Sequence, residues 1–327
     1  MPDPMGIALV GMGKHADRTV IPALERCSHT VLRRIVVRDA AAAKARRPEL
    51  AELISDDFAA TVADLDIDGV YVATPLAAHG SYAAVALAAG KHLWCEKPVV
   101  PTLAEAEQLT ATAAEAGRAI FEIDYYRYHR QFLSLQEAIA ERQADGEYLV
   151  AAEVIFTIPE LPADDIRYRA DLCGGALFDV GYYPLSAALE LFGRPRSVAA
   201  TCRHDAGRGV DIAGSALLGY DGFAVHAQWG IGASYRSEIS VSLSASRLMA
   251  PRAFAKPADV VTSIAAFNAF GAADPAIESG AHDAFVAMLD AQCAAIAGSD
   301  ETALSAARDA IVTRAALLGQ VRHVAAS

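Results

Sequence analysis

Residues 7–16, Ile-Ala-Leu-Val-Gly-Met-Gly-Lys-His-Ala, join a short apolar run directly to a glycine-rich turn, and few patterns restrict a fold as sharply. The run predicts a first strand, and GxGxxA after it predicts a tight turn into a helix running towards Cys27. Gly11 permits the turn, Gly13 lets the backbone approach a pyrophosphate, and Ala16 is small enough for close helix–strand packing. The new helix offers free N–H groups and a positive dipole end, with Lys14 and His15 beside them. An Ala- and Gly-rich chain produces GxGxxA by chance, so the placement between strand and helix carries the reading.

The pattern then repeats as strand, helix, strand. A second strand over 31–37 ends in Arg38-Asp39. An acidic residue there suits a ribose 2′-hydroxyl (NAD), whereas an Arg suits a 2′-phosphate (NADP). Both are present; Arg38 favours NADP(H) and leaves NAD(H) open. Arg46 and Arg47 follow and read as a solvated helix face. The strand 69–73 runs into Thr74-Pro75, with His79 either capping the next helix or facing the cofactor. A helix over 81–89 stops at Gly90. A strand over 92–95 then delivers Glu96 and Lys97 at its carboxyl end, where ligands bind in parallel α/β sheets. Pro98 restricts Lys97 to extended geometry. A helix from near Thr102, with Glu105 in capping-box spacing, and a strand over 119–123 complete residues 1–126. Alternating elements imply a doubly wound parallel sheet, a Rossmann dinucleotide-binding domain.

Residues 127–327 differ in texture. A helix over 132–142 and a strand over 148–157 precede Gly174-Gly175, which open a helix carrying Asp179 and Tyr183. These two are four apart and share a face. Gly181 between them leaves room for something flat, and Pro184 predicts a kink or restart. Strands near 196–202, 213–220, 223–230 and 236–244, with Asp221-Gly222 as a hairpin turn, imply an α+β domain with an open, mainly antiparallel sheet. Its outer face needs a cover, which a second subunit supplies in a homo-oligomer (dimer or tetramer). Helices over 281–297 and 302–323 close the chain, the second with an apolar stripe at Leu304, Ala307, Ile311, Ala315 and Leu318.

Composition narrows the partners. A net charge of −12 argues against nucleic acid or an anionic membrane. No apolar run is long enough to span a bilayer, and the first residues lack a secretory signal pattern. The 5 cysteines are scattered without CxxC spacing, which suits free thiols in the cytoplasm. No metal-ligand spacing occurs. A Lys at the sheet edge and a Tyr on a second-domain helix suit hydride transfer. Reducing a ketone puts negative charge on oxygen, so a proton donor must stand near it. Tyr183 fits the donor, and the Lys97 ammonium would favour its phenolate and polarise the substrate oxygen. Asp179 would orient Lys97 or bind a substrate hydroxyl.

Four stretches together resemble the glucose-fructose oxidoreductase/inositol dehydrogenase (Gfo/Idh/MocA) family. They are Gly11–Ala16, Ala73-Thr-Pro75 with His79, Ala89–Pro98 (AGKHLWCEKP), and Gly174–Tyr183 (GGALFDVGYY). The resemblance implies that Lys97, Asp179 and Tyr183 are catalytic and that Gly11, Gly13, Lys14, His15, Ala16, Arg38, Asp39, Thr74, Pro75, His79, Glu96 and Lys97 bind the cofactor. Arg127, His129, Arg167, Asp179 and Tyr183 become the substrate-binding set. Phe156-Thr-Ile-Pro159 and Asp165-Ile-Arg-Tyr168 are similar to those of nucleotide-sugar 3-ketoreductases of deoxysugar biosynthesis. Arg130, Cys173 and the residue before Ser246 depart from that branch. The expectation is a sugar or nucleotide-sugar ketoreductase. The alternatives are an aldose or dihydrodiol dehydrogenase, or a cofactor-binding regulator without activity.

Overall fold

The computed structural model describes residues 3–326 and divides them into two compact units. The first comprises the chain to Asp124 together with Phe285–Ala315. Its strands are β1 (Met5–Val10), β2 (Thr30–Val36), β3 (Ile54–Ser55), β4 (Gly69–Val72), β5 (His92–Glu96) and β6 (Ile120–Ile123). They form one parallel sheet in the order β3-β2-β1-β4-β5-β6. Between them run α1 (Ile21–Arg26), α2 (Ala40–Arg46), α3 (Phe58–Ala63), α4 (His79–Ala88) and α5 (Leu103–Glu115). A sheet covered on both faces needs strands apolar throughout, and β4 and β6 are buried at every position. The strand order reverses between β1 and β4. The crevice beyond their carboxyl ends is therefore the binding position in a sheet of this topology.

The second unit comprises Tyr125–Ala284 and the chain from Ala316. It contains α6 (Arg130–Ala144), β7 (Leu149–Ile158), α7 (Tyr182–Phe192), β8 (Ser197–Asp205), β9 (Val210–Gly219), β10 (Ala224–Ile231), β11 (Arg236–Leu243), β12 (Ser246–Pro251), β13 (Thr262–Asn268) and β14 (Ala273–Gly280). The sheet runs β14-β13-β12-β11-β7-β10-β9-β8, antiparallel except for the parallel pair of β7 with β10. Strand β11 alternates buried and partly exposed residues, as one packed face requires. Helix α7 packs on β7 and β10, and α6 on β12, β13 and β14. The expected turn at Asp221-Gly222 links β9 to β10, with Gly222 at φ +78°.

Three sequence expectations need correction. Residues 127–327 do not all belong to the second unit, because α8 (Ala284–Ala297) and the first part of α9 (Glu301–Ala325) return to the first. Buried partners draw them there. Trp94 Nε1 donates to Gln292 Oε1 at 3.0 Å, Phe285 stacks on Tyr71, and Ile311 and Ala315 join the core beside β1 and β4. Strands β12, β13 and β14 were not anticipated; Pro251 and Pro275 within them masked a strand pattern that cross-strand pairing sustains. The helix expected from Gly174 begins later, with a π turn over Leu177–Gly181 that passes into α7 two residues before Pro184. Pro184 lacks the N–H for a regular bond to the carbonyl at 180, so the irregular turn sits where the ladder has to break.

Candidate active site

In the first unit, the turn after β1 is built as its sequence demands. Gly11 adopts φ +94°, and a Cβ there would lie 2.6 Å from the Ala73 carbonyl oxygen. Its N–H donates to Val36 O at 2.8 Å, which pins the turn between β1 and β2. A Cβ on Gly13 would meet nothing within 4 Å. The protein itself therefore has no steric need for glycine at 13, and the space over the loop is open. Lys14 and His15 are exposed at the start of the helix, and Ala16 is buried against the sheet. Thr74 Oγ1, beside Gly11, is buried without a hydrogen-bond partner. An orphaned hydroxyl and an open cradle at a helix N-terminus together fit a dinucleotide.

At the end of β2, Asp39 caps α2, accepting from Ala42 N at 2.8 Å, while Arg38 is exposed beside it. Arg46 is not merely a solvated residue: its Nη2 donates to Met12 O at 2.9 Å, which brings a second guanidinium to the glycine loop. Sequence reading missed it because α2 is short and its exposed face carries no periodic signal. Arg47 pairs with Asp17 and Glu49.

His79 is 2% exposed and both its ring nitrogens face backbone carbonyls, Nε2 at 2.8 Å from Thr74 O and Nδ1 at 3.1 Å from Pro98 O. Burial pulls its pKa below the ordinary value, against the pull of those carbonyls. It therefore ties together the loops after β4 and β5. Lys97 sits half-buried in the second of these loops, joined to Pro98 by a cis peptide bond. Glu96 before it accepts from Tyr71 Oη at 2.8 Å and meets His15 Nε2 at 3.1 Å. Burial opposes its ionisation, but His15, Tyr71 and Lys97 outweigh that and hold the carboxyl below its usual range. Glu96 thus links the glycine loop to the lysine loop. Val99 N donates to Glu122 Oε1 at 3.0 Å on the far side of Pro98.

In the second unit, Asp179 lies in the π turn and Tyr183 in the first turn of α7. Asp179 pairs with Arg167, whose other end meets Asp165 at 3.1 Å. The Asp179 carboxylate is the main influence that fixes the Arg167 guanidinium in its charged form. Tyr183 is 8% exposed among Tyr126, Phe156, Tyr182 and Phe254, with ring centroids 5.1–5.9 Å away. The flat group expected beside Gly181 is the indole of Trp229: a Cβ at 181 would stand 2.9 Å from it, and one at Gly214 2.4 Å. Asp211 steadies the start of the turn by accepting from Leu177 N at 2.7 Å.

Arg127 pairs with Glu190 of α7 at 2.9 Å. His129 is 1% exposed and caps α6, its Nδ1 accepting from Gln131 N at 3.0 Å, while its Nε2 is buried without a hydrogen-bond partner. Among the described residues, no group of three or more His, Cys, Asp or Glu could hold a metal ion.

Residues 5–124 match the model of an oxidoreductase family with an NAD-binding Rossmann fold, and residues 133–250 match the GFO/IDH/MocA C-terminal domain. The chain belongs to the GFO/IDH/MocA oxidoreductase family. It is 33% identical, over 98% of its length and 95% of the relative's, to a dTDP-3,4-didehydro-2,6-dideoxy-alpha-D-glucose 3-reductase from Streptomyces violaceoruber. A D-xylose 1-dehydrogenase (NADP(+)) from Haloferax volcanii is 32% identical over 66% of each chain. Among solved structures, KijD10, a 3-ketoreductase from Actinomadura kijaniata in complex with NADP and TDP-benzene, superposes with a TM-score of 0.89. It is 29% identical, over 98% of this chain and 97% of that one. As a GFO/IDH/MocA member the chain is a nicotinamide-dependent oxidoreductase, and its glycine loop, Thr74 and helix N-terminus have the chemistry to hold that cofactor.

Proposed function

We propose that this enzyme is an NADP(H)-dependent ketoreductase acting on a TDP-linked 3-keto deoxyhexose. What carries the reading is an intact Lys97 loop in a chain that matches 3-ketoreductases from end to end. The preference for NADP(H) is supported by Asp39, whose carboxylate is engaged in capping α2, and by the exposed Arg38 with Arg46 nearby at the glycine loop. A phosphate accepts charge-assisted hydrogen bonds from guanidinium groups, and an acid turned away does not repel it.

When bound, NADPH supplies a hydride. This chain's own residues then have two tasks: to hold the keto-sugar and to manage the charge on its oxygen. Tyr183 is the group assigned to donate the proton that neutralises the developing alkoxide, and the Lys97 ammonium the charge that favours a negative substrate oxygen. Asp179 and Arg167, already paired, hold the sugar hydroxyls, with Arg127, paired to Glu190 of α7, contributing beside them.

The free thiols of the five cysteines suit a reducing cytoplasm, and no described helix is long and apolar enough to cross a membrane. Homo-oligomerisation through the open face of the eight-stranded sheet is supported by Leu217, 53% exposed on the face opposite the buried Ala216 and Leu218. The likeness to a D-xylose 1-dehydrogenase favours a second reading, oxidation of a free aldose. A screen of TDP-linked keto-sugars with NADPH or NADH, and of free aldoses with NADP or NAD, separates the two. The expected result is NADPH oxidation with the TDP-linked keto-sugar. Turnover of free aldoses alone would replace the leading reading with the second.

A further inference from the structure

The geometry points to Glu122, held by Arg314, as a positioning residue for Lys97. This rests on the reading of Lys97 as catalytic. The loop Glu96-Lys97-Pro98-Val99 has few backbone donors, because Pro98 has no N–H. Val99 is 1% exposed, so its N–H cannot turn to water and needs a partner in the protein. Glu122 on β6 supplies one, Oε1 accepting from Val99 N at 3.0 Å. Its other oxygen, Oε2, accepts from Arg314 Nη1 at 2.9 Å, and Arg314 Nη2 meets Asp124 Oδ2 at 2.6 Å.

All three charged residues are at most 5% exposed, and a buried charge is stable only when paired and hydrogen-bonded. Arg314 presents its planar fork to two carboxylates, which fixes the direction in which Glu122 points. The chain of contacts therefore runs from α9 through β6 into the backbone two residues after Lys97. His79 holds the intervening carbonyl of Pro98 from the opposite side. A buried ion triad adds little net stability over an apolar replacement, so its use here is directional: it sets where the loop, and with it the lysine, stands. Small displacements of a reacting group cost rate steeply. None of these residues needs to touch substrate for that effect.

The variant Glu122→Gln tests this. Val99 and Arg314 donate to different oxygens of Glu122, so a carboxamide in the same place turns an NH2 donor towards one of them. Purified full-length protein with NADPH is followed by two measurements: amide hydrogen exchange of the peptide spanning 97–101, and kcat, KM and NADPH Kd with the keto-sugar identified in the screen above. Expected are faster exchange at Val99 with β1 and β4 still protected, a kcat lowered about tenfold, and an NADPH Kd within about twofold of wild type. Arg314→Lys, which keeps the charge but loses the fork, should give a smaller fall of the same kind. Unchanged exchange at Val99 with unchanged kcat would overturn the inference. So would a general loss of protection with kcat and NADPH affinity falling together, since that marks a merely structural role. Lys97→Ala run alongside keeps the two ideas apart. If it turns over like wild type, the catalytic reading of Lys97 fails, whereas an inactive Lys97→Ala beside a fully active Glu122→Gln removes only the positioning role.

Discussion

The loop bearing Lys97 and the helix bearing Tyr183 are fixed by opposite means. Around Lys97 the holds are polar and long-range: His79 on the Pro98 carbonyl, Glu122 on the Val99 amide, and Glu96 between Tyr71 and His15. Around Tyr183 the holds are rings and a glycine: four aromatic neighbours, and Gly181 pressed against Trp229. Directional bonds suit a flexible ammonium, whose stem cannot be packed into one place. A rigid phenol is held by the close-fitting wall of rings around it. The contrast predicts that the two regions fail differently when altered.

Apart from the loss of Lys97 itself, the largest effect is expected at the phenol. Tyr183→Phe removes one oxygen and keeps the packing, so kcat should fall about 10²-fold or more with the melting temperature nearly unchanged. A variant that melts early instead would mean that the hydroxyl is a structural bond. Next come two glycines that compare the units directly. Gly181→Ala forces a methyl group into Trp229 and should destabilise the protein by about 1–3 kcal/mol, read as a lower denaturation midpoint. Gly13→Ala meets no protein atom, so the midpoint should stay while NADPH binding weakens about tenfold, close to 1.4 kcal/mol. Undisturbed NADPH binding in Gly13→Ala would show that nothing lies over that turn.

The first unit was legible in the sequence because each of its signals is local. Apolar runs buried on both faces, a glycine turn, and a capping box at Thr102 all stand within a few residues of one another. The polar latches were not legible. Val99 to Glu122, Glu122 to Arg314 and His79 to Pro98 join residues far apart in sequence, and a single His or Glu carries no periodic signal. In the second unit Pro184 did foretell the irregular turn, and the space beside Gly181 was read correctly, though its occupant is the protein's own Trp229. Strands β12, β13 and β14 escaped because Pro251 at the end of β12 and Pro275 in the edge strand β14 interrupt a strand pattern that only cross-strand pairing sustains. The return of α8 and α9 to the first unit escaped because it depends on Trp94 meeting Gln292 and Glu122 meeting Arg314 across the chain.

The smallest effect is a pH dependence that should mark both units. Burial is the main cause holding His79 below its ordinary pKa, His92 at about 4 and His129 at about 3, with Arg118 adding to it at His92 and Lys256 and His282 at His129. An unfolded histidine titrates near pH 6.5, so below that pH the unfolded chain binds more protons than the folded one. The histidine contribution to stability should therefore be flat above about pH 6.5 and fall as the pH drops towards 4, while Lys256, held at about 7 by burial, makes stability rise further above pH 7. His129→Asn keeps a good helix cap and removes the titrating ring, so its thermal midpoint should decline less between pH 7 and pH 5 than that of wild type. An identical decline would remove His129 from the acid sensitivity.

Single-turnover hydride transfer from saturating NADPH to a TDP-linked 3-keto deoxyhexose, in wild type and in Lys97→Ala, tests the account most directly. Wild type should oxidise one equivalent of NADPH, and Lys97→Ala should bind NADPH as tightly yet transfer hydride about 10³-fold more slowly. Equal rates in the two proteins would contradict the assignment of Lys97, and no transfer by wild type would contradict the proposed reaction.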